Sequence, residues 1–106
     1  MSKIVEMRTY DLQPGSHSEW LKIYQNTVVD LQQEILGHRY GYFYTDIGPL
    51  NQIVHMWAYD SLNDRAERRA ELTSRPEWIE FTPQVRPMLK KMESKILIPA
   101  PFHPVE

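Results

Sequence analysis

The chain has 106 residues, of which 42% are hydrophobic and 25% charged, and this size and composition indicate one ordinary globular domain. The formal net charge of -2 predicts no basic surface for nucleic acid, and no run of about 18 apolar residues predicts a membrane span. The absence of cysteine excludes disulfides, thiol nucleophiles and cysteine-ligated zinc or iron–sulfur centres.

The first predicted elements are a strand and a long amphipathic helix. Residues 4–10 alternate between two faces, which is typical of a strand. Ser16 and Glu19 have the spacing of a capping box and predict the start of the helix, and Gly37 predicts its end. The residues that we expect to be buried on this helix are Trp20, Tyr24, Thr27, Val28, Leu31 and Ile35.

The next two predicted strands form a hairpin. Residues 39–45 and 50–59 are typical of strands, and the turn between them contains Gly48 and Pro49. Alternation along the second of these strands separates Ile53, His55, Trp57 and Tyr59 from Val54, Met56 and Ala58. The large aromatic set suits the wall of a pocket, whereas the small set suits a surface that lies under helices.

The second half of the chain predicts two further helices, a strand and an arm. Ser61 begins a helix, and Pro76 opens a short one after it. The buried ridge of the first of these helices is predicted to be Leu62, Ala66, Ala70 and Thr73. Residues 91–98 are predicted to be the last strand, and the proline-rich residues 99–106 an extended C-terminal arm.

This order of elements is βαββαβ, which predicts an α+β fold of the ferredoxin-like class, with residues 1–106 as a single domain. Such a fold has a four-stranded antiparallel sheet with helices on one face. The other face is bare, and we expect two copies of the chain to pair through it as a homodimer. Because the strand pattern begins almost at Met1, we expect no signal peptide. The absence of cysteine is compatible with a reducing environment, and we expect a cytoplasmic location.

Polar and aromatic side chains of two predicted strands form the candidate ligand site. They are Glu6, Arg8 and Tyr10 from the first strand and His55, Trp57 and Tyr59 from the third. Here Glu6 and Arg8 would form an orienting ion pair, and His55 would move a proton beside an aromatic slot. The alternative is a packed dimer interface, and a single histidine without an identified partner favours that alternative for His55.

Arg65 and Arg69 lie four residues apart on one side of a predicted helix, where like charges repel. They are predicted either to bind an anion or to be neutralised by a carboxylate such as Glu6. The further alternative is a solvated helix face, with Asp64 and Arg68 as an ion pair. The four histidines have no metal-ligand spacing and the glycines form no phosphate-binding motif, so we expect neither a metal nor a cofactor.

Three stretches of the chain resemble the NIPSNAP family, and the resemblance runs from about residue 4 to residue 103. The stretches are Glu6-x-Arg8-Thr9-Tyr10-x-Leu12-x-Pro14-Gly15, Leu50-Asn51-x-x-x-His55-x-Trp57-x-Tyr59-x-Ser61, and Arg65-x-x-x-Arg69-x-x-Leu72 followed by Pro76-Glu77-Trp78. The resemblance implies a dimeric α/β barrel and kinship in fold with small cofactor-free or haem-degrading monooxygenases. The family has no settled activity, and we do not carry over the mitochondrial and signalling roles linked to its animal members.

Three functions stay open at this point. The first is the binding of an unknown small molecule in a pocket of a homodimer. The second is a cofactor-independent monooxygenase for an aromatic substrate, in which His55 and Tyr59 are the predicted catalytic residues and Arg65 or Arg69 stabilises an oxyanion. The third is a non-catalytic protein-interaction domain. The sequence does not decide whether the protein is an enzyme.

Overall fold

A four-stranded antiparallel sheet forms one layer of the molecule, and helices cover one of its faces. The computed structural model describes residues 3–105. The strands are β1 (Ile4–Leu12), β2 (His38–Tyr44), β3 (Gln52–Tyr59) and β4 (Leu89–Leu97), and their order in the sheet is β2-β3-β1-β4. This order and the helical layer confirm the predicted ferredoxin-like α+β class.

The helices are α1 (His17–Thr27), α2 (Val29–Leu36), α3 (Leu62–Ser74) and α4 (Pro76–Val85), and a short 3-10 turn follows α4. The prediction of one long first helix was wrong, because Val28 has non-helical backbone angles, φ -124° and ψ 6°, and separates α1 from α2. The buried side of α1 and α2 nevertheless continues across the break, since Trp20, Tyr24, Val28 and Ile35 are all buried. Of the other two residues predicted to be buried, Leu31 is partly buried and Thr27 is exposed.

The predicted capping box at Ser16 was wrong, because the backbone of that residue is already helical and its side chain makes no capping hydrogen bond. The start of α3 behaves as predicted. Ser61 is extended, its hydroxyl accepts the Asp64 N–H at 3.0 Å, and the Asp64 carboxylate accepts the Asp60 N–H at 3.0 Å. Gly37 ends α2 at a φ of 91°, a region that favours glycine.

The helices cover the aromatic face of β3, and the predicted assignment of its two faces was therefore wrong. Ile53 packs with residues of α1 and α4, while Trp57 and Tyr59 pack with residues of α2 and α3. Val54 and Met56 lie on the open face and are partly exposed. Large side chains lie under the helices because a packed layer is separated from a sheet by roughly 10 Å, which small residues cannot fill.

The predicted buried ridge of α3 was also wrong. Leu62 is 59% exposed, and the other three residues of that ridge are exposed as well. The side of α3 that faces the sheet instead carries the fully buried Leu72 and the partly buried Arg65 and Arg69. Arg65 on this side of α3 binds the buried carboxylate of Glu6 on β1, a long-range contact that the helical hydrophobic pattern does not reveal.

The C-terminal elements differ in detail from the prediction. β4 begins at Leu89, two residues before the predicted start at residue 91, and ends at Leu97, one residue before the predicted end at residue 98. The arm is not extended throughout, because the His103 N–H bonds to the Ala100 carbonyl at 2.8 Å and closes a turn. Glu106, the last residue of the predicted arm, lies outside the described residues. No helix among residues 3–105 is long and apolar enough to cross a membrane.

Candidate functional site

A cavity of about 170 Å³ lies between the sheet and the helices. Strand β1 contributes Arg8 and Tyr10, β3 contributes His55, and α3 contributes Arg69 to its wall. Six aromatic side chains line it, namely Tyr10, Trp20, Tyr24, Tyr42, Trp78 and Phe81. The sequence analysis placed three of these candidate site residues, Arg8, Tyr10 and His55, on one pocket wall, and the structure brings them together there.

The aromatic wall is held by ring contacts and by satisfied polar groups. The Tyr24 and Tyr42 rings stack with their centroids 4.6 Å apart, and Tyr10 meets Trp20 edge-on at 5.5 Å. The Trp20 Nε1–H donates to the Tyr42 hydroxyl at 3.0 Å, and the Tyr24 hydroxyl donates to the side-chain oxygen of Gln32. Hydrogen-bonded aromatic rings hold one geometry, so this part of the cavity is preformed.

His55 lies at the centre of the polar side of the cavity and is 2% exposed. It pairs with Arg8 on β1 and with Tyr42 on β2 in the strand register. Its ring stacks on Tyr42 at 4.8 Å and meets Tyr10 edge-on at 4.9 Å. The Trp57 Nε1–H donates to His55 Nδ1 at 2.7 Å. An indole N–H can only donate, so Nδ1 is the acceptor and the neutral ring carries its proton on Nε2.

Burial, together with the positive charge of Arg8, lowers the pKa of His55 to about 3. The imidazole is therefore neutral near pH 7. His55 Nε2 is buried and has no hydrogen-bond partner within the part of the chain that the structure describes. These two facts favour a hydrogen-bond donor over the predicted proton shuttle, because the only basic nitrogen already accepts from Trp57.

Glu6 is fully buried and is surrounded by donors. Arg65 binds it through two bonds, Nε to Oε1 at 3.0 Å and Nη2 to Oε2 at 2.8 Å. Arg8 Nη1 donates to Oε2 at 2.9 Å, and the Ser94 hydroxyl donates to the same oxygen at 2.5 Å. We call Glu6, Arg8, Arg65 and Ser94 the Glu6 cluster. Burial alone would raise the pKa of Glu6, but the bonds from Arg65 and Ser94 and the nearby charges outweigh it and lower the pKa to about 2.

Arg8 connects the Glu6 cluster to the cavity. Its Nε donates to the Tyr10 hydroxyl at 2.8 Å, and its guanidinium lies 5.5 Å from the centre of the Tyr10 ring. Arg8 thus binds Glu6 on one side and supports a cavity wall on the other. The predicted Glu6–Arg8 pair is present, but the sequence analysis did not identify Ser94, which lies 88 residues from Glu6 and has no distinguishing local pattern.

Arg69 and Arg65 have different environments although they are four residues apart. Arg65 is bound to Glu6, whereas Arg69 lines the cavity and forms no ion pair with any residue of 3–105. Burial raises the pKa of Tyr59 to about 12, with Glu6 adding to the shift and the nearby Arg69 opposing it. The Tyr59 hydroxyl therefore stays protonated.

Trp57 and Tyr59 lie behind the cavity wall and pack against Ile35, Leu36 and Leu72. They do not form the predicted aromatic slot. The rings that do line the cavity come largely from α1 and α4, where their helical spacing is the same as that of ordinary core residues. That spacing is the only sequence signal, and it does not distinguish a cavity wall from a core.

Comparison with known proteins agrees with the resemblance. A family profile described as NIPSNAP matches residues 5–104. A NipSnap homologue of Dictyostelium discoideum is 36% identical over 92% of this chain and 43% of its own length. NipSnap homologue 1 of Danio rerio is 33% identical over 99% of this chain and 37% of its own length. The chain thus spans about two-fifths of the length of these curated relatives.

Solved structures show the same fold. A NIPSNAP-like domain protein of Burkholderia xenovorans is 47% identical, with a TM-score of 0.93 over 97% of this chain and 90% of that one. A NIPSNAP family protein of Agrobacterium tumefaciens is 43% identical, with a TM-score of 0.93 over 98% of this chain and 99% of that one.

A more distant likeness extends only to the fold. A Chloroflexus aurantiacus protein, provisionally named an antibiotic biosynthesis monooxygenase, has a TM-score of 0.63 over 99% of this chain and 100% of that one, at 16% identity.

The family profile covers nearly the whole described chain, and the two curated relatives are more than 30% identical across it. On these grounds the chain belongs to the NIPSNAP family.

Proposed function

We propose that this NIPSNAP domain binds a small molecule, about the size of one aromatic ring, in the cavity between its sheet and its helices. The observation that carries the proposal is a preformed cavity of about 170 Å³ that is lined by six aromatic side chains and contains a buried, unpartnered His55 Nε2–H within the described chain. An apolar cavity of about 150 Å³ is large enough to take up benzene. Aromatic walls with a few polar groups are typical of ligand sites.

The proposal is tested by filling the cavity. Thr82 lines it from α4, and Thr82→Phe should occupy the space of a ring. Saturation-transfer NMR with a set of single-ring compounds should show binding to the native protein and at least a tenfold loss for Thr82→Phe. Glu80→Phe adds the same ring at an exposed position of α4 and should bind like the native protein. Absence of binding by every compound to the native protein would contradict the proposal and favour a protein-interaction domain.

We further propose that the protein is a homodimer that pairs through the open face of the sheet. This face carries Met56 and Met7 at its centre, with Phe43, which is 53% exposed, towards one edge. Sedimentation should give about twice the 12.6 kDa of one chain. Met56→Glu should yield a folded monomer, whereas Leu62→Glu, at an exposed position of α3, should leave the dimer intact. A native monomer at micromolar concentration would contradict this proposal.

The catalytic form of the proposal is cofactor-independent oxygenation of an aromatic substrate. A CH₂ group of the substrate would lose two hydrogens and four electrons to O₂. As its two C–H bonds and the O–O bond break, one oxygen atom would become the carbonyl oxygen and the other would leave as water with the two hydrogens. His55 Nε2–H would then stabilise the oxyanion that develops on the substrate, in place of its predicted role as a base. Oxygen consumption in the presence of compounds that bind the cavity tests this form, and its absence with every one of them would leave a binding protein.

A further inference from the structure

We infer that the ligand of the cavity is an anion, namely a single-ring aromatic carboxylate or enolate, whose negative oxygen lies between His55 Nε2–H and the Arg69 guanidinium. This inference rests on the proposed function, since it assumes that the cavity binds a ligand. It names the chemical class of that ligand, and it assigns binding to Arg69 and a positioning role to Trp57.

Hydrogen bonding at His55 indicates which kind of ligand atom faces it. His55 lines the cavity, is only 2% exposed, and accepts the Trp57 indole N–H at Nδ1. The proton on the other nitrogen, Nε2, finds no acceptor in residues 3–105. An unpaired buried donor is unfavourable, and a ligand that supplies an acceptor removes this penalty. The group that faces His55 should therefore be an oxygen acceptor and not a donor.

The charged residues of the cavity wall indicate the sign of the ligand's charge. Arg8, Arg69 and Arg86 line the cavity, and none of the described residues that line it is an aspartate or a glutamate. Glu6, which is bound to the cavity residue Arg8, already accepts four hydrogen bonds within the Glu6 cluster. Its negative charge is thus committed to Arg65 and Arg8. The cavity itself is cationic and favours a negative ligand.

Arg69 has a different environment from the other two arginines that line the cavity. Arg8 is bound to Glu6 and Tyr10, and Arg86 is exposed in the 3-10 turn after α4. Arg69 is partly buried, lines the cavity, and has no carboxylate partner among the described side chains. A guanidinium in this environment binds a carboxylate through short charge-assisted hydrogen bonds. Arg69 is therefore the residue that neutralises the ligand.

Trp57 does not line the cavity, but it contacts His55, which does. Its indole N–H fixes the proton of His55 on Nε2, because a proton on Nδ1 would oppose the indole N–H at 2.7 Å. Trp57 thus acts through His55 as a positioning residue. Without its N–H, the neutral imidazole would divide between two tautomers and would present an acceptor to the ligand part of the time.

The inference is tested with three probes of one shape, which are benzoate, benzamide and benzamidine. Isothermal titration of the native protein should give a Kd for benzoate at least tenfold below that for benzamide, and no binding of benzamidine. Arg69→Met should reduce the preference for benzoate to less than threefold and leave benzamide unchanged. Arg75→Met, at the C-terminal end of α3 outside the cavity, is the matched control and should keep the native preference.

The outcomes separate the inference from the proposed function. Equal binding of benzoate and benzamide would overturn the anionic ligand and leave the cavity as a neutral site. An unchanged preference in Arg69→Met would overturn the role of Arg69. Failure of all three probes, and of every other single-ring compound, would overturn the proposed function itself.

The role of Trp57 has a readout that is independent of affinity. Nitrogen-15 NMR of the native protein should show His55 as the Nε2–H tautomer. In Trp57→Phe the spectrum should shift towards a mixture of tautomers, and benzoate should bind several-fold more weakly while the folded spectrum is kept. An Nδ1–H tautomer in the native protein would overturn the positioning role and the donor assignment together.

Discussion

Two polar groups lie under the helices on the same face of the sheet, and they are completed in opposite ways. In the Glu6 cluster, four hydrogen bonds converge on one carboxylate. At the cavity, His55 Nε2 has no partner and Arg69 no counter-ion within residues 3–105. Buried polar groups are normally satisfied, so the first group is complete in itself, whereas the second leaves a donor and a cation open at the cavity, as the proposed ligand site requires.

The largest expected effect on stability comes from a substitution at the centre of the Glu6 cluster. Glu6→Gln leaves the guanidinium groups of Arg8 and Arg65 without their carboxylate, and we expect a loss of about 3 kcal/mol or more in the free energy of unfolding. Urea denaturation measures it. Glu71→Gln breaks the exposed pair with Arg75 and should cost less than about 0.5 kcal/mol. Similar losses in both variants would remove the contrast between the Glu6 cluster and a surface ion pair.

The next largest expected effect is a pH dependence of stability, to which His55 and the Glu6 cluster contribute in different pH ranges. His55 has a pKa of about 3 when folded and near 6.5 when unfolded, so the unfolded state binds more protons between these values and stability falls as the pH decreases below 6.5. The loss is at most about 1.4 kcal/mol per pH unit. His55 faces Arg8 and Glu6 of β1, Arg69 of α3 and Arg39 of β2, and of these only Glu6 titrates in acid.

The folded pKa of Glu6 is about 2, against 4.5 as the ordinary value, so the stability that it contributes is lost only as the pH falls below 4.5. His55→Gln should therefore abolish the decline between pH 6.5 and 4.5 and keep the decline below 4.5. Unfolding free energies measured across pH 7 to 3 test this. A native stability that is constant down to pH 4.5 would contradict a neutral, buried His55.

A smaller effect is expected at the edge of the Glu6 cluster. Ser94→Ala removes one hydroxyl donor from the Glu6 carboxylate and should lower the free energy of unfolding by about 1–2 kcal/mol. Ser18→Ala, at an exposed helix position, should change it by less than about 0.5 kcal/mol. If Ser94→Ala proves neutral, the two arginines alone satisfy Glu6.

The smallest effect on stability sharpens the contrast between the two arginines of α3. Arg69→Met removes a charge that has no counter-ion in the described structure, so we expect a change within about 0.5 kcal/mol. Arg65→Met, the same substitution one turn earlier, uncouples Glu6 and should cost about 2–3 kcal/mol. Thermal and urea denaturation of the two variants measure this difference. Equal losses of stability in both would contradict the contrast between the two arginines.

Local sequence patterns alone predict much of the fold of this protein. Alternation along residues 4–10, 39–45 and 50–59, and the order of the elements around them, were sufficient to predict the ferredoxin-like fold. The Glu6–Arg8 and Asp64–Arg68 ion pairs were likewise predicted from spacing, and their atoms lie 2.9 Å and 2.8 Å apart. Such pairs are local, because residues two apart on a strand or four apart on a helix are neighbours in any fold.

Only the tertiary structure decided which face of β3 lies under the helices and which arginine of α3 is bound. Alternation defines two faces but not the layer that covers each, and that choice depends on the volume that the facing helices leave to be filled. Arg65 meets Glu6 across 59 residues of sequence, and Arg69 remains at the cavity because one carboxylate cannot bind both guanidinium groups in the same bidentate way. Long-range geometry, and not residue type, separated the arginine that binds Glu6 from the one that lines the cavity.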